Sequence, residues 1–101
     1  GNGLYIRDVF IFYFLKIFAI ISLMKKPLII DVRSAEEFSE NHKENAINIP
    51  VQEIHNSSFI SELDKETPIH VYCHSGGRAA MAKQILDFKG FKNVENLGGI
   101  N

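Results

Sequence analysis

The stretch VYCHSGGRAAM, residues 71–81, passes from an apolar run into a helical pattern through the short loop His74-Ser75-Gly76-Gly77. It carries Cys73, the single cysteine of the chain. A strand, a glycine-containing loop and a helix in that order put the thiol at the carboxyl end of a strand. Ligands of open α/β sheets bind beyond that end. Gly76 and Gly77 let the backbone curl so that successive N–H groups point inward as an anion nest. The helix starting near Arg78 adds unpaired N–H groups and the positive end of its dipole. Each feature favours a thiolate, so the expected pKa of Cys73 lies below the ordinary value of about 8.5. The plainer alternative is an inert core cysteine, and the loop around Cys73 argues against it.

Outward from this loop, strand and helix signals alternate. On its carboxyl side, RAAMAKQILDFKG places Met81, Ile85 and Phe88 at helical spacing as the expected inward face, and Gly90 stops the helix as its C′ residue. KNVENLGG reads as a last short strand with a Gly-Gly turn. On the amino side, IHVYC is a strand, preceded by the breaker Thr67-Pro68. SSFISELD offers a Ser N-cap, with Phe59, Ile60 and Leu63 on one helical face. AINIP is a brief strand closed by Pro50, which cannot donate to a ladder. SAEEF supplies Ser34 as N-cap with Glu37 three residues later, a capping box, and PLIIDV reads as a strand buried on both faces. The expectation is an α/β domain over residues 25–101, a parallel sheet with helices on both faces.

Residues 1–24 differ from the rest. From Val9 to Met24 only Lys16 and Ser22 interrupt an apolar run, and a spanning helix needs about 20 apolar residues. No small-residue cleavage pattern of a secretory signal follows, and Arg7 is offset by Asp8. The segment is open to three readings: an anchor, an element packed on the domain or on another copy, or an extension before a start at Met24. As an anchor, Lys25 and Lys26 would hold the following domain on the cytoplasmic side. Otherwise residues 9–24 require self-association or burial in the core, because so large an apolar patch does not stay in water. The aromatic and β-branched residues suit a strand as well as a helix.

Several motifs in order resemble a known family. Asp31-Val32-Arg33, Glu37-Phe38, His42, Ala46-x-Asn48-Ile49-Pro50 and the loop Cys73 to Arg78 are similar to those of single-domain rhodaneses, the thiosulfate sulfurtransferases. The resemblance covers residues 28–100. It implies a five-stranded rhodanese-like fold and a catalytic Cys73 that accepts a sulfane sulfur as a persulfide and passes it on. It departs at Asn41-His42-Lys43-Glu44-Asn45-Ala46, where relatives often read Gly-His-Ile-x-Gly-Ala. The usual opening strand and helix are replaced by the apolar run, and a last helix common in relatives does not follow Ile100.

Within that resemblance, His74, Ser75, Gly76, Gly77 and Arg78 are the expected substrate-binding residues. The backbone N–H groups of His74 to Arg78 should hold the thiolate or persulfide in the manner of an oxyanion hole. Arg78 either forks onto the sulfonate end of thiosulfate or pairs with an acidic residue. Asp31 and Arg33 are expected as a pair that braces the loop. His74 either tunes charge or faces solvent, and His42 is expected to brace a turn. Strand alternation puts His70 and Tyr72 on the face opposite Cys73, outside the site. Cell-cycle phosphatases of the same fold space cysteine and arginine by five residues. Here four intervene, a loop that suits sulfur better than a tetrahedral phosphate. Phosphatase or arsenate-reductase chemistry, or a non-catalytic binding module, are the alternative readings.

A formal net charge of −1 over 101 residues gives no field that would favour nucleic acid. One cysteine excludes an internal disulfide, and the four histidines lack metal-ligand spacing. No metal or cofactor is expected. The expected partners are a small-molecule sulfur donor and a thiol or cyanide acceptor, which a protein thiol can supply.

Overall fold

The computed structural model describes the backbone of residues 2–24 and 26–100, and the side chains of residues 8–21 and 26–100. In chain order the elements are α1 (Asn2–Met24), β1 (Leu28–Asp31), α2 (Ala35–Glu40), β2 (Ile47–Asn48), α3 (Val51–Ile54), α4 (Ser58–Ser61), β3 (Ile69–Cys73), α5 (Gly77–Phe88) and β4 (Val94–Gly99). Among the described residues the sheet has four parallel strands in the order β2-β1-β3-β4. The two central strands, β1 and β3, pair Ile30 with Val71 and Asp31 with Tyr72. Their carboxyl ends therefore lie side by side, and the Cys73 loop rises from that rim.

The resemblance implies a fifth strand, and the apolar run that stands in its place is helical. It has no period-2 alternation from which to build one apolar face, whereas a helix closes its hydrogen bonds within the segment. The described side chains of this helix are open: its large apolar residues from Val9 to Ile21 are 47% to 75% exposed. The expectation that the segment packs into the domain's own core is thus corrected. Apolar residues on every side of a helix cannot be covered by contact along one face. Among the described residues no helix is long and apolar enough to cross a membrane. Lys25 and the side chain of Met24, on which the orientation and start-site readings depended, lie outside the described residues.

The core fills one face of the sheet. Ile30, Val32, Ile69, Val71 and Cys73 meet Ile54 of α3, Ile60 of α4 and Ala79, Ala82 and Leu86 of α5. The inward face of α5 is therefore the Ala79-Ala82-Leu86 stripe rather than the expected one. Met81 is 57% and Phe88 88% exposed, and of the expected trio only Ile85 packs against the core. Both stripes have helical spacing. The small alanines decide between them, because they let α5 approach the sheet closely at its Cys73 end. Phe59 is also exposed, since α4 is a single turn and points only Ile60 inward.

Local signals behave as their chemistry requires. The capping box is formed, with Ser34 Oγ accepting from Glu37 N and Glu37 Oε1 accepting from Ser34 N. Ser57 caps α4 through Ile60 N. After α5, Gly90 at φ +100° donates to Asp87 O and Phe91 N donates to Leu86 O, a Schellman closure that turns Phe91 into the core. Asn45 takes φ +67° at the position where relatives often have glycine. Asparagine tolerates the left-handed region, so the turn survives the loss of that residue.

Candidate active site

Cys73 is the last residue of β3 and is 1% exposed. Its Sγ accepts a hydrogen bond from Gly76 N at 2.9 Å. Burial pushes its pKa up, but the backbone N–H groups of Ala79, Gly76, Ser75 and Arg78 converge on the sulfur and hold it below the usual thiol value. These donors explain a local oddity of α5. Its first turn has no side-chain cap, and the residue at the N-cap position, Gly76, lies at φ +100°. The N–H groups that a helix start leaves unpaired are aimed at the thiol instead. Gly76 alone supplies the left-handed turn of this loop. Gly77 has no such φ, and a Cβ there would meet nothing within 4 Å, so the expected backbone role for both glycines reduces to one.

The carboxyl end of β4 supports the loop from below. Cys73 pairs with Gly99 across a register shift after Val71, and Ile100 N donates to Cys73 O at 2.8 Å. The extra residue of β4 falls at Gly98, φ +86°, which makes the shift a bulge. Gly99 passes so close beneath the loop that a Cβ would collide with the His74 carbonyl oxygen. Asn96 Nδ2 donates to Gly76 O at 3.4 Å, and Asn96 Oδ1 accepts from Gly98 N. Asn96, Gly98 and Gly99 escaped the sequence reading. The Gly-Gly pair, expected as a turn, is the end of β4.

The expected bracing pair is present. Arg33 donates through Nε and Nη2 to the Asp31 carboxylate, the shortest contact being 2.8 Å, and both residues are buried. Burial alone would raise the pKa of Asp31, but bonds from Arg33 and Tyr72 outweigh it and keep the carboxyl low. What the pair holds differs from the expectation. Arg33 Nη2 donates to Asn41 O, and Tyr72 Oη donates to Asp31 and accepts from Lys43 N. The network ties the segment after α2 to the back of β3. It reaches Cys73 only through the neighbouring Tyr72, which is a structural part of the rim. His42 does brace its turn, bonded to Phe38 O and stacked on the Phe38 ring at 3.7 Å.

Arg78 resolves in favour of its ion-pair reading. Its guanidinium lies on both oxygens of Glu37, at 2.7 and 3.1 Å. Arg78 and the Ser34 N–H together lower the Glu37 pKa to about 2. The expected grip of this side chain on substrate is therefore corrected: its guanidinium is held by Glu37, while its backbone N–H remains on the sulfur. The side chains of His74 and Ser75 are exposed. His74 lines a cavity of about 340 Å³ beside the loop, together with Arg33, Glu37, Glu40, Asn41 and Ile100.

A sequence profile described as a rhodanese-like domain matches residues 20–101. The chain belongs to the rhodanese-like domain family. The thiosulfate sulfurtransferase PspE of Escherichia coli (strain K12) is 39% identical over 71 residues, covering 70% of this chain and 68% of its own length. The thiosulfate sulfurtransferase GlpE of Coxiella burnetii (strain RSA 331 / Henzerling II) is 35% identical over 79 residues, 76% of this chain and 72% of its own. Among solved structures, a rhodanese with anions from E. coli matches with a TM-score of 0.68 at 38% identity, over 73% of this chain and 87% of that one. This rhodanese-like domain thus shares its fold with thiosulfate sulfurtransferases, and relatives of that name support a sulfurtransferase of the rhodanese type.

Proposed function

We propose that this domain moves a sulfane sulfur from a donor such as thiosulfate to a thiophilic acceptor through a persulfide on Cys73. The observation that carries the reading is a nearly buried sulfur at a helix start that accepts from Gly76 N at 2.9 Å, its pKa lowered by the backbone N–H groups of the loop and the first turn of α5. Backbone donors do not titrate, and they stabilise a sulfur anion without a neighbouring base. In the first half-reaction the Cys73 thiolate attacks the outer sulfur of thiosulfate. The S–S bond of the donor breaks, its electron pair leaves with sulfite, and Cys73 carries a persulfide anion. In the second, cyanide or a thiolate attacks the outer sulfur, and the pair of the Cys73–S bond returns to the thiolate. Charge is conserved in both steps. The new terminal sulfur carries the same single charge, so the same N–H groups serve both states.

The four-residue gap between Cys73 and Arg78 also supports this reading over phosphate chemistry. A phosphoryl group requires a guanidinium fork on its oxygens, and that of Arg78 is committed to Glu37. Intact mass after exposure to thiosulfate is the test. The expected result is one added sulfur that a reductant removes, with thiocyanate formed on adding cyanide. Cys73→Ser should show neither. Equal turnover by wild type and Cys73→Ser, or faster release of phosphate from an aryl phosphate, would overturn the reading.

A further inference from the structure

The cavity beside the Cys73 loop is notable for its charge. The arginine that lines it, Arg33, and the nearby Arg78 of the loop are both neutralised by the chain itself. Arg33 lies on Asp31 and on the Asn41 carbonyl. Arg78 lies on Glu37, whose low pKa keeps it ionised throughout the neutral range. Glu40, the last residue of α2, lines the same cavity, is exposed, and forms no salt bridge among the described residues. Arg33 and Arg78 are thus paired off by Asp31 and Glu37, Glu40 is left over, and His74 is the remaining titratable side chain that lines the cavity. The uncompensated positive potential is that of the N–H groups already turned onto Cys73. A donor that approaches the loop through this cavity meets the Glu40 carboxylate.

We infer that Glu40 is a specificity-determining residue of this mouth, and that the domain loads sulfur more readily from a singly charged donor than from a dianion of the same chemistry. The inference rests on the sulfur-transfer reading. Thiosulfate and methanethiosulfonate form a suitable pair of probes. Both are attacked at the outer sulfur by the Cys73 thiolate and both leave that sulfur on Cys73. The first releases sulfite and the second methanesulfinate. They differ by one unit of charge.

For charges about 8 Å apart in water, each unit changes encounter by roughly twofold at low salt. Glu40→Lys changes the local charge by two units. It should raise the ratio of kcat/KM for thiosulfate over methanethiosulfonate by roughly fivefold at low ionic strength, and Glu40→Gln by about half of that on a logarithmic scale. At molar salt, where the screening length falls to about 3 Å, the effect should vanish. A lysine at the carboxyl end of α2 suits the helix dipole, so the variant is expected to fold, and a thermal melt checks this. Glu53→Lys makes the same net charge change on α3, away from this cavity, and should leave the ratio unchanged. An unmoved ratio in Glu40→Lys, or an equal shift in Glu53→Lys, overturns the inference while both donors still load sulfur. If neither donor adds sulfur to Cys73 by mass, the sulfur-transfer reading fails and this inference falls with it.

Discussion

Gly99→Ala is expected to damage both the fold and the site, and the size of the effect follows from the backbone. A Cβ on Gly99 would stand 2.8 Å from the His74 carbonyl carbon and 3.0 Å from Ser75 Cα, and closer still to the His74 carbonyl oxygen. All three are backbone neighbours that no rotamer change can move. Ordinary contact begins at 3.4 Å, and the carbonyl oxygen is the nearest of the three, so the loop and the end of β4 must part by about 1 Å or more. Overpacking of this kind costs about 1–3 kcal/mol. Loss of the Ile100 N to Cys73 O bond adds about 1 kcal/mol. Together they remove about 2–4 kcal/mol, a large share of the stability of a small domain, and lower Tm by roughly 10 °C or more. Moving the His74 peptide also moves the Ser75 and Gly76 N–H groups off the thiol, so Cys73 alkylation near neutral pH should slow.

Two neighbouring glycines separate collision from strain in that experiment. Gly98→Ala meets nothing within 4 Å but sits at φ +86°, so it should cost only the left-handed penalty of about 1–2 kcal/mol. Gly77→Ala meets neither obstacle and stands in the first turn of α5, where alanine is favoured by up to about 1 kcal/mol. Thermal melts and alkylation rates should rank Gly99→Ala as the most damaged and Gly77→Ala as the least in stability. A Gly99→Ala protein with wild-type Tm and alkylation rate would refute the close-approach argument.

Leu86→Ala should lose about 2–5 kcal/mol in a urea titration, whereas Phe88→Ala, on the open side of α5, should stay within about 0.5 kcal/mol. Tyr72→Phe removes one donor to Asp31 and the acceptor of Lys43 N, and should cost about 1–3 kcal/mol by the same assay. The rate of Cys73 alkylation against pH should have its midpoint below the ordinary thiol value in the native chain and return to about 8.5 in denaturant. Because the folded pKa is the lower one, ionised Cys73 adds stability that is complete above the unfolded value. That stability is lost as pH falls through the folded value, and Cys73→Ser should lack this dependence.

Much of this molecule was legible along the chain because it depends on neighbours in sequence. The capping box of Ser34 and Glu37, the cap at Ser57, the Gly90 closure and the order of strands and helices follow from residues within one or two turns of each other. The same holds for the Cys73 loop, whose N–H groups come from residues two to six positions beyond the thiol. A curled backbone entering a helix can only turn those groups inward. What the tertiary structure decided are contacts between distant segments. The face of α5 that turns inward was set by how closely alanines, rather than Met81 and Phe88, allow a helix to approach the sheet. The partner of Arg78 was set by where the fold places α2, which brings Glu37 to it across 41 positions of sequence. The need for glycine at position 99 arises only because β4 runs beneath the loop, and no local pattern encodes a collision with a backbone 25 residues away. Local hydrogen bonding is written in spacing, whereas packing and charge neutralisation depend on which surfaces the folded chain brings within a few ångströms.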